Sequence, residues 1–164
     1  MLDEKLLIEL QEYIEKHSQR LDYDICESVR LISKDTLDTE LENFIRDKRK
    51  QTFHQILFSF IDKKGVSDSD VYKRAGIDRR HFSKIRSNPD YRPGKNTVIA
   101  LALALELNKK ETDKLLSAAG YSLSESNTFD LVILFFLDKE IYDIYSVNQA
   151  LDYFCQKPLA GVLE

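Results

Sequence analysis

Arg79, Arg80, Ser83, Lys84, Arg86 and Ser87 fall within one short segment of the chain. Guanidinium and ammonium groups donate to phosphate oxygens, and arginine's planar fork also fits the paired acceptors on a guanine edge. Serine hydroxyls add short-reach donors to the same acceptors. At 100° per residue, positions 79, 80, 83, 84 and 87 share one side of a helix, while Phe82 and Ile85 share the other. The chemistry this array fits is recognition of a polyanion. Lys73 precedes it, and Arg92 and Lys95 follow in a turn-rich loop.

Other chemistry is poorly represented. His17, His54 and His81 are widely separated and make no metal-ligand spacing such as H-E-x-x-H. His81, beside two arginines, reads as a surface or ligand-facing residue. The five glycines mark turns or helix ends, without a phosphate-cradling G-x-G-x-x-G or Walker pattern. Cys26 and Cys155 have neither redox nor zinc spacing and no histidine nearby in sequence. Carboxylates are scattered, so no acid/base pair stands out. These patterns predict a non-enzymatic chain with no metal or cofactor.

The cationic face must be held by neighbouring elements. Val71 and Ala75 lie one turn apart ahead of Gly76, Ile77 follows it, and Phe82 and Ile85 come next at helical spacing. Five apolar residues thus converge on one small core, the spacing of two helices around a tight turn. Gly76 suits the turn because glycine adopts positive φ without a steric cost. Ser67 and Asp78 are placed to cap the two helices. In a helix-turn-helix the second helix enters the DNA major groove. Arg79, Arg80, Ser83, Lys84 and Ser87 are then expected to meet base edges and phosphates. Arg86, Arg92, Lys95 and Lys73 are expected to grip the backbone.

Asn88 to Lys95 forms a turn-rich loop, and Asn96 to Leu107, NTVIALALALEL, reads as a nearly continuous apolar helix. With these residues the stretch from about Thr52 to Tyr121 resembles the Cro/lambda-repressor-like, xenobiotic-response-element type of helix-turn-helix domain. In that family a loop ending near a proline, here Pro93, leads into a T-L-x-x-L-A-x-A-L-x-L helix, here Thr97 to Leu107. The resemblance implies a lambda-repressor-like helical core that binds double-stranded DNA. The longer stretch from about Phe53 to Gly161 is also similar to a bacterial module found fused behind other domains, macro domains among them. That likeness implies that the N-terminal helices here replace a larger partner domain.

Charge is distributed in blocks. The net charge is −4, yet residues 51–120 carry 13 Lys/Arg against eight Asp/Glu. Residues 1–50 carry nine against 13, and residues 121–164 two against seven. A basic centre therefore sits between acidic flanks, and local charge governs polyanion binding because screening acts within roughly 8–10 Å. No run of about 18 apolar residues is present, which excludes a membrane span. The amphipathic, acidic N-terminus is unlike a signal or transit peptide. With both cysteines read as reduced, mostly buried thiols, a cytoplasmic location is expected.

The full expectation is an all-α chain of roughly eight or nine helices in three parts. Residues 1–50 form an acidic helical extension, with helices over Asp3 to His17, Tyr23 to Ile32 and about Thr36 to Lys48. The basic run Arg46 to Lys50 reads as a helix-end cap or as an arm for phosphate or the minor groove. Residues 51–121 form the helix-turn-helix domain, opening on the capping-box residues Thr52 and Gln55. Residues 122–164 form a C-terminal extension, with Phe129 to Leu137 apolar nearly all round and a last helix from Ser146. That extension either packs on the core or mediates homodimerisation. The function expected is sequence-specific double-stranded DNA binding by a transcriptional regulator. The alternative, motivated by Tyr72 and Asp68 in the motif, is a non-catalytic adaptor that contacts protein through the same fold, the N-terminal helices or the C-terminal segment.

Overall fold

The structure, a computed structural model, describes residues 4–17 and 23–159, with side chains at 4–14 and 34–159. It is all-helical, without a strand among the described residues. Two compact units divide the chain at residue 49.

The first unit contains α1 (Glu4–His17) and α2 (Tyr23–Lys48). The helices expected over 23–32 and 36–48 are one continuous helix of 26 residues. No glycine or proline lies between them to end the first. Thr39 donates its hydroxyl to the Asp35 carbonyl at 2.9 Å, one turn back inside the helix. Arg46 and Lys48 occupy the last turn, where cations complement the helix dipole. Asp3, and the inward side chains expected of Ile25, Cys26, Val29 and Ile32, lie outside the described residues.

The second unit runs from α3 (Phe53–Lys64) through α4 (Asp68–Ala75), α5 (Arg79–Ser87), α6 (Lys95–Ala104), α7 (Lys109–Ala118) and α8 (Thr128–Asp138) to α9 (Ile144–Tyr153). Its spine is α6, in which every residue from Thr97 to Ala104 is buried. A helix apolar on all sides needs cover on all sides, and α4, α7 and α9 pack against it. It is shorter than the sequence suggests. The chain leaves the helix at Leu105, Glu106 turns left-handed at φ 54°, and the Leu107 N–H returns to the Ala102 carbonyl at 3.0 Å. Leu105 and Leu107 stay buried after that turn.

Local signals fix most other ends. Thr52 and Gln55 form a reciprocal capping box on α3, and Asn108 and Glu111 form one on α7. Gly65 closes α3 at φ 66°. The two C-terminal helices, α8 and α9, pair with each other and cover the same core through Ile133, Val147 and Leu151. Three expectations fail here. The α8 helix, apolar nearly all round, buries one face against α7 and α9 and leaves Leu131 and Phe135 exposed. Helix α9 begins at Ile144, capped by Asp143, so Tyr153 and Phe154 emerge at its exposed end. Cys155 is exposed, not buried, and lies in a left-handed turn (φ 56°) just past that end. No helix among the described residues is long and apolar enough to cross a membrane.

Candidate nucleic-acid interface

Two helices and the turn between them position the cationic residues. The Ser67 side chain accepts from the Asp70 N–H and starts α4. Gly76 ends it at φ 66°, its N–H reaching the Lys73 carbonyl, while the Ile77 N–H reaches that of Tyr72 at 2.9 Å. Asp78 Oδ1 then accepts from the Arg80 N–H at 3.0 Å and starts α5. Val71, Ala75, Ile77, Phe82 and Ile85 are all buried, the convergence expected from their spacing. Phe82 is further clamped by the rings of Tyr72 and Phe58, at centroid distances of 5.7 and 6.1 Å. The bulk of Tyr72 is therefore accommodated by packing on α5.

With Phe82 and Ile85 anchored, the opposite side of α5 faces outward. Arg79, Arg80, Ser83, Lys84, Arg86 and Ser87 are exposed, as are Lys73 and Arg74 on the last turn of α4. Among the described residues, Lys73, Arg74, Arg79 and Arg80 make no ion pair. All four flank the Gly76 turn, and their charges are uncompensated by contact.

Three expected contact residues have other engagements. The Arg86 guanidinium makes a two-pronged contact with Asp68, Nε to Oδ2 at 3.1 Å and NH1 to Oδ1 at 3.2 Å. It also lies over the Phe58 ring at 4.6 Å, and its carbonyl is 2.9 Å from His54 Nε2. Asp68 is thus partnered, so its charge does not stand alone at the start of α4. Lys95 points inward, with Nζ 2.8 Å from the buried Asp130 carboxylate. Arg92 is exposed but sits 5.6 Å from the Tyr121 ring centroid, and Tyr121 donates its hydroxyl to the Pro93 carbonyl at 3.0 Å. Burial and contact, invisible in residue type, separate these residues from Arg79 and Arg80.

Tyr91 is a site residue that residue types alone did not single out. Its hydroxyl is 3.2 Å from His81 Nε2, and its ring lies 4.6 Å from the Lys84 ammonium. His81 is accordingly half-buried against the loop after α5, not projecting from it. A signal existed in the i to i+10 pairing of two aromatic residues across a turn-rich loop, but spacing alone does not reveal it. Lys84 remains exposed with its ammonium steered over Tyr91.

The arrangement can bind anions. No cluster of His, Cys, Asp or Glu among the described residues could hold a metal ion. Compared with protein-family models, curated proteins and solved structures, the chain matches none.

Proposed function

We propose that the chain binds double-stranded DNA with sequence specificity, through a helix-turn-helix formed by α4 and α5 on a lambda-repressor-like core, and acts as a transcriptional regulator. The observation that carries this reading is the pair Arg79 and Arg80. Both are exposed, and among the described residues neither makes an ion pair, at the start of a helix whose other face is locked by Phe82 and Ile85. The outward cationic face of this nine-residue helix fits a major groove roughly 12 Å wide. Ser83, Lys84 and Ser87 extend the base-facing side. Lys73, exposed on the last turn of α4, would meet phosphates, and so would the exposed Arg92 beyond its contact with the Tyr121 ring. Arg86 and Lys95 act within the fold, holding α4, α5 and the following loop in place.

Selection of bound duplexes from a random double-stranded pool, followed by affinity measurements against salt, tests the proposal. An enriched motif and a log–log salt slope of about −0.9 per phosphate contact support it. Absence of enrichment, with binding that ignores salt, overturns it and points to a protein-contacting surface instead.

A further inference from the structure

A cleft in the second unit takes no residue from α5. Its volume is about 300 Å³, the small end of the range for small-molecule sites. It opens where α4, the end of α6 and the start of α9 meet. Leu103 and Ile144, both buried, supply an apolar floor. Arg74 enters from the last turn of α4 and Glu106 from just past α6, while Tyr142 and Asp143 come from the turn before α9.

The charges in this cleft are opposite in sign and unmatched. Among the described residues neither Arg74 nor Glu106 makes an ion pair, although both line the same space. Asp143 is engaged elsewhere, its Oδ2 accepting the Ser146 N–H at 3.3 Å and hydroxyl at 2.8 Å. Glu106 holds its place at φ 54°, a left-handed backbone that glycine adopts freely and glutamate does not. The end of α6 sets the negative pole of a helix beside it. Tyr142 registers the resulting field: burial, then the charges of Glu140, Glu106 and Glu111, raise its phenol pKa above the ordinary 10.0.

These walls select a ligand by exclusion. A simple anion suits Arg74 but meets repulsion from Glu106 and the carboxylates near it. A simple cation suits Glu106 but sets like charge against the guanidinium. A small molecule carrying both charges on an apolar body meets every wall. Its carboxylate takes the Arg74 fork, its ammonium takes Glu106 and the carbonyl end of α6, and its body lies on Leu103 and Ile144.

We propose that this cleft binds a free α-amino acid with an apolar side chain, held between Arg74 and Glu106. The site stands apart from the function proposed for α5, because its occupancy is read without DNA.

Titration of the full, isotope-labelled chain with L-leucine, L-isoleucine, L-methionine and L-phenylalanine, followed by amide chemical shifts, tests it. At least one should saturate with a Kd below about 1 mM, ordinary for so few atoms, and move the Arg74, Glu106 and Tyr142 signals. For that amino acid, two analogues should each bind at least tenfold more weakly: the amide, which lacks the carboxylate, and the des-amino acid, which lacks the ammonium. Arg74→Gln and Glu106→Gln, both at exposed positions, should each weaken binding at least tenfold with unchanged helicity. Failure of all four to saturate with a Kd below about 1 mM overturns the proposal. So does a loss smaller than tenfold for either analogue or either variant.

Discussion

Lys95, the first residue of α6, places its ammonium 2.8 Å from Oδ2 of Asp130 on the first turn of α8, 35 residues along the chain. The same oxygen accepts the Ser124 N–H at 2.8 Å, and Oδ1 is buried without a partner among the described residues. With its side chain only 3% exposed, the carboxylate depends on Lys95 for its charge balance. The pair ties the loop after α5 to the C-terminal helices. Those helices are therefore part of what holds the cationic surface in shape.

Lys95→Met should accordingly destabilise the second unit by about 3 kcal/mol, because it strands a buried carboxylate. Asp130→Asn added to Lys95→Met should recover much of that loss, since the amide oxygen still accepts from Ser124 and no charge remains. Urea denaturation of the three variants as a double-mutant cycle measures the coupling. Equal destabilisation by Lys95→Met alone and by the double variant would contradict the role given to the pair.

Arg79 and Arg86 should separate in opposite directions. Arg79→Ala touches no packing, so stability should change by less than about 0.5 kcal/mol. DNA affinity should fall by about 1–3 kcal/mol, with relaxed preference at one base position. Arg86→Ala leaves Asp68 unpaired at the start of α4 and uncovers Phe58, and should lower stability while leaving base preference intact. Thermal melts and competition binding on matched and mismatched duplexes distinguish the two.

Much of this arrangement is legible from short-range patterns. Thr52 with Gln55, Ser67, Gly76, Asp78 and Asn108 with Glu111 each announce a helix end within three or four residues, because a cap is satisfied locally. The burial of Val71, Ala75, Phe82 and Ile85 follows from period alone. Pairings across distance do not read out this way. Asp68 and Arg86 are 18 residues apart and Lys95 and Asp130 are 35 apart, so residue type suggested free cations where the fold has committed ones. The join of residues 23–32 to 36–48 was missed for a related reason. Asp35 and Thr36 look like a helix start, yet nothing before them stops the preceding helix. Exposure of Phe135, Tyr153 and Cys155 depends on which layer lies outermost, which periodicity does not encode.

Gly76 adopts φ 66° between the two helices, a region where a Cβ costs about 1–2 kcal/mol. Gly76→Ala should therefore destabilise by about that amount. Gly76→Asn should be milder, since asparagine tolerates the left-handed region. Because the turn sets the angle of α5, DNA binding should weaken in Gly76→Ala even where the variant stays fully folded. Chemical denaturation for stability and binding measured well below the melting temperature keep the two effects apart.

Tyr142 makes alkaline stability a readout of the α8–α9 connection. Burial, then the charges of Glu140, Glu106 and Glu111, raise its phenol pKa above the ordinary 10.0. An acid with a raised folded pKa keeps its proton in the folded chain while the unfolded chain releases it. Stability is therefore complete below the unfolded value and falls as pH rises from about 10 through the raised folded value, beyond which the loss is constant. Tyr142→Phe should remove this component, so its melting temperature should decline less than that of the parent chain between about pH 9 and 11. Glu140→Gln, which removes the charge named first after burial, should leave part of the decline in place. Parallel curves for the parent and Tyr142→Phe across that range would show that the phenol does not couple to folding.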